Sequence, residues 1–90
     1  MRPVAYHRQA KGYLERMPAK RASQVMDSIS ALAELANPAE ELGVKIMTGD
    51  WQGWMRIRIG GYRAISRIQM DGTGTETLFV LIVAPRGDVY

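Results

Sequence analysis

Residues 54–69, WMRIRIGGYRAISRIQ, constrain the fold of this chain more than any other stretch. Alternation before the glycine pair puts Met55, Ile57 and Ile59 on one face of a strand and Arg56 and Arg58 on the other. Gly60-Gly61 is a two-residue hairpin signal, because glycine takes positive φ without a Cβ clash. A turn at that pair sets the register. Ile59 faces Tyr62, Arg58 faces Arg63, Ile57 faces Ala64 and Arg56 faces Ile65. Arg58 and Arg63 then stand directly opposite each other, with Arg56 and Arg67 on the same face. Like charges so placed destabilise a sheet. Folding alone does not explain why the stretch holds four arginines and no acidic residue. A polyanion bound to that face would explain it.

The rest of the chain supplies what the hairpin packs against. The first strand is expected over Arg2–Tyr6, at a sheet edge because Pro3 cannot donate. A helix is predicted over His7–Met17, with Ala10, Tyr13, Leu14 and Met17 in one stripe. Pro18 ends it and suits the first turn of the next helix. That second helix is expected over Ala19–Ala36, where Ala22, Val25, Met26, Ile29, Leu32, Ala33 and Ala36 follow helical spacing. Asn37-Pro38 stops it, through a left-handed asparagine cap. Residues 39–53 read as an irregular loop with a short extended piece near Val44–Met47. Trp51 and Trp54 flank the hairpin entrance, as plugs of a small core or as rings for base stacking. Met70–Thr75 reads as a hairpin turn, since it lacks the lysine and helix of a phosphate-cradling loop. Thr77–Ala84, TLFVLIVA, is apolar on both faces and reads as a central strand. The helical hairpin covers the sheet face of Met55, Ile57, Ile59, Tyr62, Ala64 and Ile68. The expected fold is α+β, a single domain of 90 residues with a small antiparallel sheet packed on an N-terminal helical hairpin in the order β-α-α-β-β-β.

Charge and chemistry narrow the function. The chain has 12 basic and 9 acidic residues, no cysteine and one histidine, His7. The second half is basic through arginine alone, whose planar fork suits phosphate and whose flat face suits bases. A second cationic group, Arg8, Lys11, Arg16, Lys20 and Arg21, surrounds the helix junction against Glu15 only. It is either a solvated face or a further contact to a nucleic-acid backbone. No metal site and no cofactor are expected, because thiolates are missing and Asp50, Asp71 and Asp88 fall in separate loops. No nucleophile turn accompanies His7 and the serines, and no paired carboxylates stand out. The N-terminus is too charged for a signal peptide, and no apolar run reaches membrane-span length, so a cytoplasmic protein with no membrane contact is the expectation. Arg56, Arg58, Arg63, Arg67 and Arg86 with Tyr90 remain as the candidate site. RNA carries its own nucleophile, the 2′-hydroxyl, so such a site needs only alignment, charge stabilisation and proton transfer.

MRIRIGGYRAISRI, LFVLIVAPR and the terminal RGDVY, in this order over nearly the whole chain, resemble the RelE toxins of bacterial toxin–antitoxin systems, within the RelE/ParE superfamily. The resemblance implies a metal-independent endoribonuclease that cuts mRNA in the ribosomal decoding site and inhibits translation. It implies catalytic roles for Arg56 and Arg58 in the hairpin, Arg63 after Tyr62, Arg86 after the last strand, and Tyr90. Arg67, Trp54, Lys20, Arg21 and Lys11 would bind RNA. The implied partners are a cognate antitoxin, mRNA and the ribosome, with operator DNA reached only through the antitoxin complex. The founding pattern has lysine where Arg56 and Arg58 stand. A guanidinium is a poor general base, so the proton acceptor stays open, with Tyr90 a candidate if neighbouring arginines lower its pKa. The alternative implied by the same superfamily is a ParE-like gyrase inhibitor, a binding protein rather than a nuclease.

Overall fold

Pro18 divides the N-terminal half into two helices, and Gly60 divides the C-terminal half into strands. The computed structural model describes residues 2–85 and Gly87. In chain order it has β1 (Val4–Tyr6), α1 (Arg8–Arg16), α2 (Ala19–Ala33), β2 (Val44–Ile46), β3 (Met55–Ile59), β4 (Tyr62–Met70) and β5 (Glu76–Pro85). Short 3-10 turns at Pro38–Glu40 and Gly49–Trp51 lie on either side of β2. His7 caps α1, its Nδ1 accepting from the Gln9 amide at 3.2 Å. Among the described residues no helix is long and apolar enough to cross a membrane.

The α+β architecture is the expected one, with two differences in the sheet. Residues 44–46 form a full strand, so five strands run in the order β1-β5-β4-β3-β2. The sheet is also mixed. β2, β3, β4 and β5 pair antiparallel, but β1 runs parallel to β5, with Val4 opposite Leu78 and Tyr6 opposite Val80. The reason is the crossover: the helical pair carries the chain from one edge of the sheet to the other, and β5 returns beside β1. β1 is a sheet edge, as Pro3 suggested. β5 is central at this point, flanked on both sides.

The helices cover one face. Ala10, Leu14, Val25, Ile29, Leu32 and Ala33 pack on Met55, Ile57, Ala64, Leu78, Val80 and Val83, all buried. Burying each large aliphatic chain contributes roughly 1.5–3 kcal/mol before chain entropy is counted. A bulge adjusts the register of β4 and β5. Ile65 pairs with Ile82 but Ser66 pairs with Val80, so Leu81 has no residue opposite. Val80 and Val83 therefore both face the helices. The β4–β5 turn is held by Asp71, whose Oδ1 accepts from Thr73 and Thr75 amides and from the Thr73 hydroxyl. The Thr73 hydroxyl, then the backbone amides, hold its carboxyl below the usual range. Burial, then the charge of Asp27, pushes the Tyr6 phenol up.

The second helix is shorter than its periodicity suggests. It stops at Ala33 rather than Ala36, and Asn37 has φ −136°, not a left-handed cap. A residue far away in sequence meets the carbonyls at this end. The Arg2 guanidinium donates to the carbonyls of Ala33 and Ala36 at 3.2 Å each and to that of Leu35, and its Nε pairs with Glu76 at 2.8 Å. It meets the helix-end carbonyls that would otherwise lack partners. Arg2→Ala should cost about 1–3 kcal/mol in a urea melt, with the amides after Ala33 losing hydrogen-exchange protection first. Unchanged stability would show that solvent meets those carbonyls equally well.

Candidate functional site

The hairpin is built as its glycines dictate. Gly60 takes φ 58° while Gly61 does not go positive, the sign pattern of a type II′ turn. The expected register holds at every pair, including Arg58 opposite Arg63 and Arg56 opposite Ile65. Two contacts tie the tip to the helices. Arg21 Nη1 donates to the Tyr62 hydroxyl at 3.2 Å, and the Tyr13 and Tyr62 rings meet edge to face at 6.4 Å.

Because Met55, Ile57 and Ala64 face the helices, Arg56, Arg58, Arg63 and Arg67 are carried on the opposite face, Arg58 and Arg67 exposed and Arg56 and Arg63 half-buried. The register adds a residue from the short extended piece that was not among the sequence candidates. Lys45 of β2 lies directly opposite Arg56. Two like-charged cross-strand pairs, Lys45/Arg56 and Arg58/Arg63, therefore share this face. Ile65 sits among them, fully buried, between Arg56 and Ile82 across the strands.

Further along the sheet the charge gives way to rings. The Arg67 guanidinium lies 4.4 Å from the Trp54 ring centroid. With the Gln69 amide turned so that its oxygen faces Arg67, that oxygen accepts from Nε and Nη2 at 3.0 Å each. Phe79 is the cross-strand partner of Arg67. Its ring is 6.3 Å from Trp54 and 6.2 Å from His7. Trp51 meets Trp54 edge to face at 6.1 Å.

Trp54 and the four hairpin arginines thus belong to one face. Lys11, Lys20 and Arg21 are exposed on the helical layer, on the other side of the sheet. Of these three, Arg21 reaches the hairpin tip through Tyr62. The sequence candidates Arg86 and Tyr90 lie outside the described residues. His7 and Phe79 were not among the candidates. Their signal in sequence was faint: TLFVLIVA is apolar on both faces, and only the bulge at Leu81 decides that Phe79 turns away from the helices.

A family model described as the ParE toxin of the type II toxin–antitoxin system, parDE, matches residues 4–90. Curated protein sequences give no match. Among solved structures, the chain is similar to the toxin–antitoxin complex RelBE2 from Mycobacterium tuberculosis, at 24% identity and TM-score 0.73, covering 97% of this chain and 93% of that one. It is similar to the archaeal RelE–RelB complex from Pyrococcus horikoshii, at 23% identity and TM-score 0.69 with 98% of each chain covered. It also resembles the YoeB/ParE toxin from Agrobacterium tumefaciens, at 20% identity and TM-score 0.74, over 93% of this chain and 98% of that one. At these identities the likeness is one of fold.

The cross-strand charges give a direct test of the face. Arg58→Thr removes the repulsion with Arg63 and introduces a good strand residue. It should raise stability by roughly 0.2–1 kcal/mol in low-salt buffer, and the gain should shrink toward zero at about 1 M salt. A gain that ignores salt would trace to strand propensity rather than charge.

Proposed function

Because this chain belongs to the ParE toxin family of type II toxin–antitoxin systems, we propose that it acts as the toxin of such a pair by cleaving mRNA, and that a cognate antitoxin neutralises it. The observation that carries the RNA reading is the concentration of cations, Lys45 opposite Arg56 and Arg58 opposite Arg63, on the sheet face turned away from the helices. Bound phosphates offset the repulsion within each pair. An antitoxin partner is in keeping with the two similar solved complexes, which are toxin–antitoxin assemblies.

In this reading the 2′-hydroxyl of the RNA attacks the adjacent phosphorus, and the bond to the 5′ oxygen of the next nucleotide breaks. The products are a 2′,3′-cyclic phosphate and a 5′-hydroxyl end. The attacking hydroxyl gives up one proton and the leaving oxygen takes one. Arg58 and Arg63 hold the phosphate and offset the extra negative charge of the transition state. Arg56 adds charge and Arg67 positions the strand. Guanidinium groups stay protonated and cannot accept the hydroxyl proton. Arg86 and Tyr90 are assigned by the RelE resemblance, Arg86 as a further phosphate ligand and Tyr90 as a stacking or proton-transfer group. The cations of the helical layer, Lys11, Lys20 and Arg21, would contact ribosomal RNA.

The family model's description names ParE, and the superfamily resemblance gives ParE-like members a second reading, an inhibitor that binds gyrase and cleaves nothing. Two assays separate them. With programmed ribosomes, mapped mRNA 5′ ends should appear in the decoding site, and Arg63→Ala should lower the cleavage rate on the order of 100-fold. Intact mRNA together with blocked supercoiling by gyrase would instead establish the second reading.

A further inference from the structure

The open face has two zones. At the hairpin tip it is cationic. Four residues down β4, from Arg63 to Arg67, it becomes aromatic, a distance of about 13 Å at strand spacing. The aromatic zone is a transverse row across four strands. Strand order places His7, which follows β1, on one side of β5, and Trp54, which precedes β3, on the other. Phe79 of β5 lies between them. The His7 ring stands at 85° to Phe79 and the Trp54 ring at 53°. Phe79 is thus a floor with an inclined ring at each side. Arg67 braces the Trp54 wall by stacking on it.

The His7 wall has a defined polarity. Its Nδ1 is committed as acceptor from the Gln9 amide. A neutral His7 therefore carries its proton on Nε2 and presents a donor there.

We propose that Phe79, walled by His7 and Trp54, is a slot that takes an unpaired nucleobase of single-stranded RNA, about four stacked nucleotides from the phosphate held at Arg58 and Arg63. This rests on the RNA reading of the same face and adds a subsite to it. Aromatic rings accept any base through its π-face, and the adjacent Arg67 supplies charge for the backbone. A base locked in a duplex cannot enter. The slot therefore makes the protein select single strands, and it anchors the strand in one register past the cationic pair.

The test uses the full chain and a labelled 2′-O-methyl octaribonucleotide, which binds but has no free 2′-hydroxyl to attack. It is measured single-stranded and annealed to its complement. Phe79→Leu keeps an apolar strand residue and removes the ring. His7→Asn keeps a strong helix cap and removes the ring. Each should weaken single-strand binding roughly 5- to 100-fold, measured well below its melting temperature, and leave duplex binding unchanged. Undiminished single-strand affinity in both variants, or an equal loss for the duplex, overturns the slot. So does retained RNA affinity with lost affinity for a protein partner, which would make the row a protein contact. The two readings fail separately. Slot-dependent binding without cleavage on ribosomes removes only the nuclease. Normal cleavage by both variants with intact binding removes only the slot.

Discussion

The two-residue turn at Gly60-Gly61 decides what every residue of the hairpin faces. Strand side chains alternate, so a slip of one residue would send Arg56 and Arg58 into the helical layer and expose Met55 and Ile57. Burial holds the register from below: Met55, Ile57 and Ala64 are almost fully covered. Tyr62 holds it at the tip, through Arg21 and Tyr13. The cationic face is the other side of that same arrangement. Its arginines stand where they do because the apolar partners between them cannot stand anywhere else.

Given that frame, the face divides into parts with different chemistry. Lys45/Arg56 and Arg58/Arg63 concentrate positive charge near the tip. Arg67 is transitional, since its guanidinium sits over the Trp54 ring beside Gln69. Phe79 and His7 complete an aromatic row. A single-stranded polyanion has this same pairing of phosphate and ring along its length, and the proposed RNA reading rests on that likeness.

Much of this was legible from local sequence, and the failures have a common cause. The hairpin register was readable because a glycine pair and strict alternation are local signals. The helices were readable from their apolar spacing. The end of α2 was not, and the carbonyls there are met by Arg2, which precedes both helices in sequence. The place of Lys45 was hidden in a segment rich in glycine and acidic residues. The His7–Phe79–Trp54 row was hidden too. It needs the parallel placement of β1 beside β5 and the bulge at Leu81, and neither has a sequence signature. Each miss is a long-range contact overriding a local pattern. The expected partners of the site at Arg86 and Tyr90 lie outside the described residues.

The central claim is that the cross-strand cations are retained because they bind phosphate. The most direct measurement is the salt dependence of binding to a non-cleavable single-stranded RNA. Each phosphate contact on a single strand contributes about 0.7 to the slope of log K against log salt. Replacing Arg58 with threonine should reduce the slope by about that amount, and replacing Lys45 should do the same. Slopes unchanged by both replacements would contradict the account and leave the charges without a ligand.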